Sequence, residues 1–163
     1  MKNRLILLVL LVSGFLVFLF FYNRYRTAPQ LDPFNLSLTT SEGKVQRLSS
    51  FRNKNVMIVF YASWCPDCRV ELDDLNEIYA SRLRNIEVVC ITDDPIEKMN
   101  SFKKKKNYPF HFFQASVQLS ELGIFTIPAN YLVNADGNIV LQKVGAINWR
   151  DNSVVVKMLE LLK

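Results

Sequence analysis

The chain is most tightly constrained by a continuous apolar run, Val56-Met57-Ile58-Val59-Phe60-Tyr61, that leads within a few residues into Trp64-Cys65-Pro66-Asp67-Cys68. A run of strand length with no polar face is the pattern of a central strand buried on both sides. After Pro66, the apolar residues Val70, Leu72, Leu75, Ile78, Tyr79 and Leu83 recur at helical spacing between Glu71, Asp73, Asp74 and Glu77. That spacing predicts an amphipathic helix beginning at the cysteines. A buried strand that turns into a helix must lie in a sheet covered by helices, so the expected class is α/β.

The flanking sequence fills in the rest of such a layer. Phe34–Leu38 and Lys44–Leu48 alternate apolar and polar residues about a Ser41-Glu42-Gly43 turn, which predicts a β-hairpin. Ile86–Ile91 reads as a second buried strand, Pro95–Lys106 as a helix with proline near its first turn, and Val117–Leu122 as a short helix ended by Gly123. Ala129–Val133 and Ile139–Val144 read as strands joined across Asp136-Gly137, and Ser153–Leu162 as a closing amphipathic helix. The order is a β-hairpin, then βαβα, then ββα, with no internal repeat.

Ahead of the hairpin, Leu5–Tyr22 carries no charge and is bracketed by Lys2 and Arg4 on one side and by Arg24 and Arg26 on the other. The run is long enough to cross the hydrocarbon core. A cleavable signal would have a shorter apolar region, ~7–15 residues, followed by small residues. Here bulky Phe18–Tyr22 occupy that place, and Ala28 is followed by Pro29, so an uncleaved anchor is expected. Its short basic N-terminus is easily retained in the cytoplasm, which would send the remainder across the membrane. The expected organisation is an anchor over 1–26, a proline-punctuated linker over 27–33 and one folded domain over 34–163.

The formal charge of +5 suggests a nucleic-acid partner until its location is checked. Four of the basic residues flank the apolar segment, and from Thr27 onward 16 basic residues face 15 acidic ones. The run Lys103–Lys106 ends a predicted helix and lacks interleaved aromatics, the pattern of a solvated helix end. No nucleic-acid partner is expected.

Cys65 and Cys68 form a close pair, whereas Cys90 lies inside an apolar strand and reads as a small hydrophobe. A pair set between a strand and a helix start suits redox work. Free N–H groups and the helix dipole stabilise a thiolate on the first cysteine, and the thiolate is the attacking species. The second cysteine, one turn on, can resolve the mixed disulfide. Pro66 starts the helix without forfeiting a hydrogen bond, and Trp64 can shield one side of the sulfur. The competing reading is half of a zinc site, but zinc takes four ligands and only Cys90 and His111, each alone in apolar sequence, remain to supply them. Copper delivery is a minor alternative that lacks a His or Met partner.

Phe60-Tyr61-Ala62-Ser63-Trp64-Cys65-Pro66-Asp67-Cys68-Arg69-Val70-Glu71-Leu72 resembles the active-site segment of the thioredoxin superfamily, in its TlpA/ResA-like branch. The resemblance spans about Phe34 to Lys163. It implies a thioredoxin-like fold, a central mixed sheet flanked by helices with an added N-terminal β-hairpin, preceded by one transmembrane helix. It also implies a cis proline at Pro128, beside the cysteines, with the Ile127 backbone free to pair with a substrate, and an acid at Glu71 that exchanges a proton with Cys68. Two departures stand out. Val59 occupies the place of the buried aspartate of cytoplasmic thioredoxins, and Asp67 adds negative charge beside the thiolate.

The function so implied is an extracytoplasmic thiol-disulfide oxidoreductase. Its expected direction is reduction of exported disulfide proteins, as in cytochrome c maturation, with electrons from a membrane thiol carrier. No cofactor beyond the redox-active Cys65–Cys68 disulfide and no metal is expected. An oxidase or isomerase, and a non-enzymatic metal-binding or interaction module, stand as alternatives. A peroxiredoxin ranks below these, because Tyr61-Ala62-Ser63-Trp64 lacks the Thr and Pro expected ahead of a peroxidatic cysteine.

Overall fold

The computed structural model describes residues 2–26 and 28–163; Met1 and Thr27, with which the expected anchor and linker begin, lie outside the described residues. Helix α1, Lys2–Arg26, contains a stretch, Ile6–Arg24, long and apolar enough to cross a membrane. The domain that follows is one seven-stranded mixed sheet. Its strands are β1 (Ser37–Thr39), β2 (Val45–Arg47), β3 (Asn55–Phe60), β4 (Ile86–Thr92), β5 (His111–Ala115), β6 (Ala129–Val133) and β7 (Ile139–Val144), in the order β2-β1-β5-β4-β3-β6-β7.

Strands β3, β4 and β5 are parallel, and their crossovers are helices α2 (Pro66–Arg82) and α3 (Ile96–Lys106). Successive crossovers that step the same way along a sheet put both helices on one face, since such connections are right-handed. Accordingly Met57 and Val59 of β3 pack with Leu72 and Leu75 of α2, Met99 and Phe102 of α3, and Val155 and Met158 of the last helix, α4 (Asn152–Leu161). The alternate β3 residues, Val56, Ile58 and Phe60, meet Phe34, Leu36, Leu48 and Phe51 of the N-terminal extension on the other face. β3 is thus buried on both sides, and each fully buried side chain of Val or Ile size contributes roughly 1.5–3 kcal/mol.

The structure departs from the sequence expectations in four places. The hairpin is shorter, because Phe34 and Leu48 enter 3₁₀ turns, Pro33–Asn35 and Leu48–Phe51, that tuck their side chains into the core. Val70 is 61% exposed, and the inward face of α2 carries Cys68, Glu71, Leu72, Asp74 and Leu75 instead. Residues 117–122 form successive turns, not a helix: Leu119 N–H donates to Asp93 Oδ2 and Gln118 N–H to Glu121 Oε1, while Glu121, Leu122 and Gly123 each bond back three residues. Finally, β5 was not foreseen. It places His111 at the surface, with Nε2 2.8 Å from a carboxylate oxygen of Glu87.

Segment 28–36 packs against the sheet. Ala28 is buried, and Tyr131 on β6 donates its hydroxyl hydrogen to the carbonyl of Pro29 at 2.9 Å.

Candidate redox site

The carboxyl end of β3 delivers the chain to the amino end of α2, where parallel α/β sheets build their sites. Tyr61 N–H bonds to Ile91 O, extending the β3–β4 ladder by one residue, and Cys65 N–H closes a turn onto Ala62 O at 3.1 Å. Two side chains hold the turn as well. Asp94, buried at the end of β4, accepts the Ser63 N–H at 2.6 Å, and Arg69 donates to Trp64 O at 3.2 Å.

Cys65 is the N-cap of α2, in extended backbone, with Pro66 in the first turn. Its Sγ accepts the Cys68 N–H at 3.2 Å, the place a capping oxygen takes in other helices. The two sulfurs are joined as a disulfide. They differ in access: Cys65 is 5% exposed and Cys68 fully buried. With the disulfide reduced and the fold native, iodoacetamide is expected to alkylate Cys65 first; mass spectrometry showing Cys68 modified ahead of it would reverse the roles.

Trp64 is largely exposed, and Pro66 lies at the surface beside it. Trp64 and Ile127 line one groove of about 300 Å³, together with Ala62, Leu119 and Ile124. Ile127 also packs against the apolar cluster that holds both cysteines, and the Ile127–Pro128 peptide is cis. Sequence positions more than sixty residues apart thus meet at one surface.

Glu71, one turn beyond Cys68, is 1% exposed. Three donors reach it: the backbone N–H of Ile147, Trp149 Nε1 to Oε1 at 3.3 Å, and Asn130 Nδ2 to Oε2 at 3.4 Å. Burial dominates over these contacts and over Lys143, raising its pKa from the usual carboxylate range to about 7. Cys90 lies on the same side of the sheet, fully buried; burial, and then the charge of Glu71, push its thiol well up. Asn130, Trp149 and Asp94 escaped the sequence reading. Only their burial in the folded chain, 0%, 1% and 6% exposed, singles them out. Among the described residues no three His, Cys, Asp or Glu side chains gather as metal ligands.

Comparison with known proteins agrees with this geometry. The thiol-disulfide oxidoreductase ResA of Bacillus cereus is 24% identical over 156 residues, covering 88% of this chain and 90% of its own. The thiol:disulfide interchange protein DsbE of Vibrio cholerae is 25% identical over 130 residues, covering 77% of this chain and 67% of its own. In fold, a secreted disulfide oxidoreductase of Mycobacterium tuberculosis superposes with a TM-score of 0.63 at 23% identity, covering 78% of this chain and 99% of that one. The AhpC/TSA family profile matches residues 28–142, which include β3, both cysteines and the cis proline. The chain belongs to the AhpC/TSA family and is, within it, a thiol-disulfide oxidoreductase of thioredoxin-like fold.

Proposed function

We propose that the chain is a membrane-anchored reductase of exported disulfide proteins, working outside the cytoplasm through Cys65 and Cys68. The observation that carries this reading is the unequal burial of two sulfurs at one helix start, 5% against 0%, behind a helix able to span a membrane. The Cys65 thiolate attacks one sulfur of a substrate disulfide, forming a mixed disulfide and releasing the other substrate sulfur as a thiolate. Cys68, deprotonated by the Glu71 carboxylate, then attacks Cys65 Sγ. The Cys65–Cys68 disulfide forms, the second substrate thiol leaves, and two electrons have passed to the substrate. A membrane thiol carrier restores the dithiol, so the disulfide is the only redox centre the cycle uses.

In this reading Trp64, Pro66 and the Ile127 backbone form the docking rim and Pro128 closes its inner side. An extended substrate segment can pair with backbone there, the mode by which peptides add to a strand. The substrate class in this reading is the oxidised cysteine pair of an exported apocytochrome c, which the cycle returns to two thiols; the relatives named ResA and DsbE are likewise thiol-disulfide oxidoreductase and thiol:disulfide interchange proteins.

One labelling experiment separates direction and sidedness. A membrane-impermeant maleimide added to intact cells is expected to label Cys65 directly, since it would be both outside and reduced. Labelling only after an impermeant reductant would mean an outside, oxidised pair and an oxidase. Labelling only after lysis would place the domain inside and end the extracytoplasmic reading.

A further inference from the structure

The run Lys103–Lys106 ends α3, and on its own it is a solvated helix end. The fold gives part of that helix another setting. A groove of about 420 Å³ runs between α3 and the start of α2, lined by Lys98, Lys105 and Lys106 from one side and Arg69 from the other, with Phe102 also in its wall, and it reaches Ser63, two residues before Cys65. Glu97 is the one carboxylate in its lining. Lys106 is neutralised by Asp73 at 2.7 Å, and Arg69 is held by Trp64 O. Lys98 and Lys105 are exposed and, among the described residues, have no acidic partner within ion-pair distance. From Thr27 onward the chain is nearly neutral, so this is a local concentration of unpaired cations in a groove that reaches the active-site turn at Ser63.

We propose that this groove docks an extended acidic segment of the partner protein, next to the cysteine that exchanges with Cys65. Lys98 and Lys105 stand two turns apart, about 10 Å along α3. An extended chain covers that distance in about three residues, so two carboxylates four positions apart, which share one face of the chain, meet both flexible lysine side chains. Long-range attraction of the acidic segment raises the encounter rate before contact. The groove lies on the α3 side of the active-site turn, whereas Ile127 lies on the other groove, so charge is read on one side and backbone on the other. This proposal rests on Cys65 being the exchanging sulfur.

The test uses the full-length chain, reduced, in a nonionic detergent, and three peptide disulfides that differ only in having Glu, Gln or Lys around the cystine. Each rate is divided by the rate of the same peptide with dithiothreitol, which removes the effect of the flanking charges on the sulfur chemistry. The Glu peptide is expected to react about tenfold faster than the Lys peptide at low salt. The ratio falls towards one as ionic strength approaches about 1 M, where the screening length is about 3 Å. In Lys98→Glu with Lys105→Glu the order of preference inverts, and in Lys98→Gln with Lys105→Gln it collapses, with far-ultraviolet circular dichroism checking that each variant is folded. Equal normalised rates for the three peptides, or a ratio untouched by charge reversal, would overturn the groove while leaving the exchange chemistry standing. No exchange with any peptide would overturn the Cys65 reading and the groove's role with it.

Discussion

Cys65→Ser is expected to abolish disulfide exchange, a loss on the order of 10³-fold or more, because a hydroxyl at this helix start is neither ionised nor nucleophilic enough at neutral pH to replace a thiolate. Cys68→Ala should behave differently. Attack by Cys65 remains possible, but the mixed disulfide has no internal thiol to resolve it. Full-length Cys68→Ala, expressed in its own membrane and isolated after acid quenching, should therefore carry reducible conjugates with exported thiol proteins, identifiable by mass spectrometry. Conjugates on Cys65→Ala and none on Cys68→Ala would exchange the two roles. Neither substitution should unfold the chain, since Cys65 lies at a helix cap and Cys68 fills a volume close to that of alanine plus one sulfur.

The second large effect belongs to Glu71. Its folded pKa of about 7 stands above the unfolded carboxyl value, so between the two the native state binds the proton more tightly than the unfolded chain. Stability linked to this group is therefore complete at acid pH and is lost as pH rises through about 7. The ionised carboxylate costs about 3 kcal/mol at pH 8 relative to the unfolded chain. Glu71→Gln keeps the shape and removes the ionisation. Thermal unfolding of the oxidised chain should show wild type losing stability from pH 5 to pH 8 and the variant losing far less. Its exchange rate should fall about 10- to 100-fold at pH 7 and rise with pH as hydroxide or solvent replaces the missing base. A variant with the wild-type rate profile would make Glu71 a purely structural acid. Trp149→Phe removes a donor that favours the carboxylate, so it should move the wild-type inflection to higher pH.

The element carrying the chemistry was legible in the sequence because its signals are local. The apolar run of β3, the cysteine spacing and the proline at the first turn sit within thirteen consecutive residues, Val56–Cys68. β6 and β7 were equally plain, since Asp136-Gly137 between apolar runs specifies a tight turn. What escaped depends on long-range packing. β5 begins at His111, directly after Pro109 and Phe110, and its strand character comes from pairing with β4 on one side and β1 on the other. Val70 falls at a helical position that faces solvent only because α2 turns its Glu71 face to Trp149 and Asn130. A buried acid on that face looks, in sequence, like any exposed carboxylate of an amphipathic helix. Its donors lie 59 to 78 residues away, beyond any periodicity.

The docking of segment 28–36 on the sheet bears on how far the enzyme can range. A flexible chain of nine residues would let a domain sweep about 15–18 Å from its attachment point. Here Ala28 is already buried, two positions past the end of α1, and Tyr131 ties Pro29 to β6. With α1 in a bilayer, the reacting sulfur can travel little farther than the width of its own domain, a few tens of ångströms. Partners that share the membrane are then met at a high effective concentration, and those that diffuse freely must come to the surface to be served.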